Sequence, residues 1–267
     1  MKTITTIILV VTMISSSFSQ EIDTLRIKLD SIVTEANRLY SYEKTVWEST
    51  DMLLRDRKLK RDYGTYVVYH QKDTLVVAYI NKELNTRIAK YVFLESNLKE
   101  PIEVDKNTAK LAPIEVELLT IKLKLSDQLS SRKCEFNVPS GYNPNLVLIK
   151  GDEEYKLYVI MGTTKSGSIP FGNDYLFIAN SAGDITYCKK FHSRILPAPF
   201  KSQSGGKVVS AFHSHLKTTP YITATDICTF RLYYELSHME EFSVYCTATD
   251  KVYKYSIATN RVEVTDL

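Results

Sequence analysis

Val208-Val209-Ser210-Ala211-Phe212-His213-Ser214-His215, then Leu216 to Ile222, then Thr223-Ala224-Thr225-Asp226, is the stretch on which the reading of this chain turns. The run Val208–Phe212 reads as a buried strand. On a strand, residues two apart project from one face, so the imidazoles of His213 and His215 can converge. Asp226 opens an amphipathic segment, Thr223 to His238, that reads as a helix, and the ten residues between His215 and Asp226 suffice to return its carboxylate to the imidazole pair. Two His nitrogens, one carboxylate oxygen and a vacant fourth position are what a tetrahedral catalytic Zn2+ requires, which makes His213, His215 and Asp226 candidate metal ligands. Thr223 and Asp226 also fit a purely structural role, since Thr at a helix start with an acid three residues on is close to a capping box.

This arrangement resembles the JAMM metallopeptidases, the catalytic branch of the MPN or JAB domain family. Their fingerprint is His-x-His, seven residues, Ser, two residues, Asp, and here Thr223 stands at the Ser position. The resemblance covers roughly the second half of the chain. It implies zinc ligand roles for His213, His215 and Asp226, an oxyanion-holding role for Thr223, and a peptide or isopeptide bond as the substrate. It also implies a Glu ahead of an upstream strand as general base. Glu153 and Glu154 precede the apolar run Tyr155–Gly162, and Glu154 is the better placed. Of the remaining histidines, His192 in a loop and His238 at an exposed helix end are further possible ligands, and His70 reads as an isolated surface or satisfied side chain.

Ahead of the motif, strands over Leu146–Lys150, Tyr155–Met161, Tyr175–Ala179 and Ile185–Lys189 suit an α+β domain. Gly162 to Asp174 reads as a loop without the Gly-Lys-Ser/Thr order of a phosphate-binding loop. The turn-rich Ser140–Asn145 suggests a boundary, giving residues 139–267 as a JAMM/MPN-like domain with a mixed sheet flanked by helices. Residues 21–138 read as a helical and meander domain. Helical spacing over 21–62 includes a second helix from Thr45 to Leu59. Strands at Tyr66–Tyr69, Leu75–Ile80 and Arg87–Phe93 follow, and helical spacing returns over Ile114–Leu129.

Residues 1–20 read as a signal peptide: Lys2 as the positive start, Ile4–Ile14 as the apolar core, Ser17 and Ser19 as the small residues at the cleavage site. That core is too short to span a bilayer and no second long apolar run follows, so a secreted or periplasmic protein is expected, without a membrane span. A formal charge of only +3 gives no reason to expect a nucleic acid partner. Four cysteines permit up to two disulfides in three complete pairings, with Cys228 and Cys246 reading as buried hydrophobes and no disulfide expected to be necessary for the fold. There is no Gly-x-Ser-x-Gly elbow of a serine hydrolase. Two function classes follow: an exported zinc-dependent hydrolase acting on a peptide or protein, or a catalytically silent exported module that binds a cell-envelope partner, with or without a structural metal.

Overall fold

In a computed structural model, residues 2–129, 135–163 and 165–267 are described, those before 23 without side chains. The signal-peptide reading of 1–20 and Cys134 lie outside the described side chains. The fold is α+β, and among the described residues it has four helices and fifteen strands.

A long helix, α1 (Lys2–Leu54), is followed by a short one, α2 (Arg57–Asp62). The expected second helix over Thr45–Leu59 is therefore corrected. Leu39, Val46 and Leu53 continue one buried stripe at heptad spacing, so α1 runs on through Thr45. The break comes at Asp56, whose carboxylate accepts the amide protons of Lys58 and Leu59 and so caps a new helix start. An antiparallel meander of β1 (Tyr63–Gln71), β2 (Thr74–Asn81) and β3 (Thr86–Leu94) follows as expected, extended by β4 (Glu103–Asp105) and β5 (Ala109–Lys110), which both pair with β3.

Strand β2 is buried on both faces from Leu75 to Ile80, and its alternation sorts the layers. Leu75, Val77 and Tyr79 enter a core shared with α1, where the Tyr79 hydroxyl meets those of Ser49 and Thr50 at 2.8 and 2.7 Å. Ala78 and Ile80 enter a second core with Leu118, Leu119, Ile121 and Leu125 of α3 (Pro113–Gln128). Both cores draw on residues before and after position 139.

The second sheet has strand order β10-β9-β7-β6, from β6 (Tyr142–Lys150), β7 (Glu154–Thr163), β9 (Tyr175–Asn180) and β10 (Ile185–Lys190). Between them the expected loop Gly162–Asp174 is corrected. It contains β8 (Ser168–Gly172), which pairs antiparallel with β11 (Ile195–Pro199). The pattern misleads because Pro170 and Pro197 sit opposite one another in the ladder, and proline is tolerated in a two-stranded ribbon where a central strand would reject it.

The third sheet holds β12 (Ser210–His215), β13 (Glu241–Cys246), β14 (Lys251–Ser256) and β15 (Arg261–Asp266), with α4 (Ala224–Ser237) between its first two strands. β12 and β13 are parallel, from Ser210↔Glu241 to His215↔Cys246, and parallel neighbours require a crossover, which α4 supplies. Such a unit gathers the end of β12 and the start of α4 on one side of the sheet, where ligands commonly bind in open α/β sheets. The buried-strand reading of Val208–Phe212 is corrected in one respect. β12 is an edge strand, and Val209 and Phe212 are 68% and 65% exposed, while Ala211 and His215 point inward. α4 is pinned by Ile227, Phe230 and Leu232, each burial worth roughly 1.5–3 kcal/mol. It also packs on α1, where Arg231 bonds Asn37 at 2.5 Å.

Cys228 and Cys246 are free and buried, whereas Cys188 is disulfide-bonded. Among the described residues no helix is long and apolar enough to cross a membrane.

Candidate metal centre

Three histidines and one aspartate meet at the end of β12. One ligand atom from each of His192, His213, His215 and Asp226 lies within 4.8 Å of every other. His213 and His215 share the inward face of β12, as their spacing predicts. Asp226 sits in the first turn of α4 with its backbone fixed by the cap: the Asp226 amide donates to Thr223 Oγ1 at 3.1 Å, and the Thr223 amide donates to Asp226 Oδ2 at 2.9 Å. The capping reading of Asp226 is realised, and the same carboxylate belongs to the four-residue group that could hold a metal ion. Oδ2 serves the helix; Oδ1 is buried, has no hydrogen-bond partner, and lies 3.4 Å from the Nε2 atoms of both His192 and His213.

His192 is the member that the sequence reading placed in a loop and gave only as a further possible ligand. It does lie in a loop, after β10, but that loop is tied down: the Phe191 amide donates to the Asp174 carbonyl at 3.0 Å and the Thr219 hydroxyl to the Phe191 carbonyl at 3.0 Å. Its partner Asp174 is positioned by the turn from β8 into β9. There Gly172 and Asn173 both take left-handed backbone (φ +86° and +51°), aiming the next side chain at the cluster. Asp174 Oδ1 accepts from His192 Nδ1 at 2.5 Å, and Oδ2 accepts from the Thr225 hydroxyl.

Tautomers follow from these partners. The Tyr221 carbonyl, 2.7 Å from His215 Nδ1, can only accept, so that nitrogen carries a proton. The Asp174 carboxylate imposes the same on His192 Nδ1. In neutral rings both Nε2 atoms are then lone pairs, yet they face one another at 2.7 Å, and His213 Nε2 is 3.0 Å from that of His215. Lone pairs so close repel unless a proton or a metal cation lies among them. A zinc ion with ligands at about 2.0–2.1 Å puts neighbouring ligand atoms about 3.3 Å apart on a tetrahedron. The 3.4 Å contacts of the His192 and His213 Nε2 atoms to Asp226 Oδ1 match that edge, His215 Nε2 lies 3.3 Å from the other oxygen, Oδ2, and the nitrogen pairs, at 2.7 and 3.0 Å, are tighter.

Without an ion, charge fills the gap. Burial pulls the His192 pKa down, but the carboxylates of Asp174 and Asp226 outweigh it and raise it to about 9. His215 is likewise raised to about 9, against burial, by Asp226. Burial, followed by the positive neighbours His192 and His215, lowers His213. Burial would lift Asp226, but those same two histidines hold it well below the usual carboxylate range. His192 and His215 are thus held in their cationic form against the Asp226 carboxylate.

The other sequence candidates stand apart from it. Glu154 is exposed at the start of β7, opposite Asn180, whereas Asp174 adjoins Tyr175, opposite Val159. Five residues of strand separate those levels, about 17 Å. The structure does not bring Glu154 to the metal centre. Thr223 is adjacent, but its hydroxyl is engaged, donating to Asp226 Oδ2 at 2.6 Å. His238 is the left-handed C-cap of α4, at the opposite end of the helix from Asp226. His70 pairs with Glu95 at 2.7 Å in the first sheet.

Comparison with protein-family models, with curated proteins and with solved structures gives no match for this chain.

Proposed function

We propose that this chain is an exported protein built around one zinc ion held by His192, His213, His215 and Asp226, and that the ion stabilises a binding module rather than serving an open catalytic site. The observation that carries this reading is the meeting of the His192, His213 and His215 Nε2 atoms with the Asp226 carboxylate, whose buried Oδ1 is otherwise unpartnered. Four protein donors saturate a tetrahedral ion, as in structural sites, whereas catalytic sites keep one position for water. Nitrogen-rich donors with one carboxylate suit zinc better than magnesium or calcium, which prefer all-oxygen shells. Asp174 and the Tyr221 carbonyl fix the imidazole orientations from behind, the usual arrangement around a metal-bound histidine. Export is supported by Lys2, the apolar run Ile4–Ile14, and Ser17 and Ser19.

A zinc-dependent peptidase of the JAMM type is the second reading, favoured by the meeting of His213, His215 and Asp226 at the motif's spacing. A zinc ion there would acidify a bound water and polarise the scissile carbonyl. This chain's part would be to free a position for that water by withdrawing His192 and to supply a base. Asp174, 2.5 Å from His192, is the nearby buried carboxylate.

Metal analysis of the purified protein beside its His192→Ala and His213→Ala variants tests the primary reading. One zinc per wild-type chain and loss from both variants is expected, with a cobalt-substituted protein showing the intense visible absorption of a four-coordinate ion that added azide leaves unchanged. Equal metal content in all three proteins would sink the metal centre. Full zinc in His192→Ala, with azide altering the cobalt spectrum of the wild type, would instead favour the open, peptidase-like site.

A further inference from the structure

A cleft of about 720 Å³ opens between α1, the β6–β7 hairpin, the segment joining β7 to β8 and the C-terminal half of α4, and the metal ligands take no part in it. Its size lies within the range of small-molecule sites, roughly 300–1,000 Å³. Asp226 and the cleft residue Tyr233 are seven positions apart on α4, about 10 Å along the axis, so the cleft is a separate feature.

Two kinds of chemistry line it. Trp47, Phe200 and Tyr233 supply aromatic surface, with Trp47 and Tyr233 meeting edge to face at 5.3 Å. Asn143, Asn145 and Ser168 supply amide and hydroxyl groups around those rings, and Lys165 is the one charged residue among the described lining. The walls are fixed from behind by Glu43, which is fully buried in α1. Its Oε1 accepts from the Trp47 indole N–H at 2.9 Å. Side chains locked before a ligand arrives lose little freedom on binding, which favours affinity.

We propose that this cleft binds a neutral saccharide. A pyranose ring offers an apolar C–H face that stacks on an aromatic ring and a rim of hydroxyls that pair with amides and side-chain hydroxyls, which is the combination present here. A phosphorylated ligand would find one lysine to neutralise it. An acyl chain would cover Asn143, Asn145 and Ser168 without replacing the hydrogen bonds they make to water, at a cost of about 1–3 kcal/mol for each group left unmatched.

Trp47 is the only tryptophan in the chain, so its fluorescence reports on the cleft directly. The full protein is titrated with cellotetraose and, separately, chitotetraose, with calorimetry alongside. A saturable change with at least one of them is expected, with a dissociation constant on the order of 0.1–1 mM. A response to chitotetraose alone supports the proposal and shows that an N-acetyl group is read. Asn143→Ala changes an exposed residue and is expected to weaken binding about tenfold, about 1.4 kcal/mol, without moving the melting temperature. Absence of saturable binding by both sugars up to about 10 mM, or wild-type affinity in Asn143→Ala, overturns the proposal.

Discussion

Replacing Asp174 probes the metal centre without touching a ligand. Its carboxylate is buried, accepts from His192 Nδ1 at 2.5 Å and from the Thr225 hydroxyl, and has no direct contact with the place where the four ligand atoms converge. Asp174→Asn preserves the shape. Turned so that its oxygen faces His192 Nδ1 and its NH2 faces Thr225 Oγ1, asparagine still holds the imidazole in the tautomer that directs a lone pair at the ion, and only the charge is lost. Asp174→Ala removes both acceptors and frees the ring to rotate or change tautomer. Outer-shell partners of metal-bound histidines are typically worth about 10–100-fold in metal affinity. The asparagine variant belongs at the lower end, about 1.4 kcal/mol, and the alanine variant at the upper end, about 2.7 kcal/mol. Competition for zinc against a chromophoric chelator reads this order, with thermal melts of the zinc-loaded proteins showing whether each variant is folded during the titration. If folded Asp174→Ala held zinc as tightly as wild type while His213→Ala did not, His192 would not be a ligand and the four-donor site would fall.

Three other perturbations bear on the framework. An alanine Cβ at Gly172 would stand 2.3 Å from the Arg194 carbonyl and 3.3 Å from His192 Cβ, on backbone of positive φ, so Gly172→Ala should cost about 1–3 kcal/mol by chemical denaturation and weaken zinc binding with it. Thr223→Val keeps the branched shape but removes the capping hydroxyl; a loss of about 1 kcal/mol in unfolding is expected, and metal affinity unchanged from wild type would show that Asp226 needs no such bracing. Burial lifts the Glu43 carboxyl from 4.5 to about 7, with the Trp47 indole and then Lys122 pulling the other way. The folded protein therefore keeps a proton that the unfolded chain has released, and this group's stabilisation is present below pH 4.5 and lost as pH rises through 7. The wild-type melting temperature should fall across that window more steeply than that of Glu43→Gln; parallel curves would refute the assignment.

Local order was legible where periodicity and chemistry agreed. The unbroken apolar run Leu75–Ile80 marks a strand, though its burial on both faces emerges only from packing, and Thr223 with Asp226 marks the start of α4 to the residue. His213 and His215 were readable as a pair because a strand repeats every two residues, whatever surrounds it. His192 and Asp174 were not. They come from separate loops, 18 positions apart, and are joined to the site only by tertiary packing: β8 folding back onto β11, and Thr219 tying down Phe191. The left-handed pair Gly172 and Asn173 was the one local signal of a sharp redirection ahead of Asp174, and a glycine and an asparagine in sequence do not say where the chain is being sent. Glu154 illustrates the converse. An acid before a strand fits a sequence template, but strand register alone sets how far along the sheet it lands.

The division of labour within the Asp226 carboxylate gives the helix start a second use as a gauge. The amides of Thr223 and Asp226 are bonded in a small ring that includes Oδ2, the other oxygen of the carboxylate whose Oδ1 faces the candidate metal centre. Their resonances and deuterium-exchange rates should therefore track occupancy of the centre while amides in the middle of α4 stay silent, so that two backbone protons can be read as a titration curve for the metal.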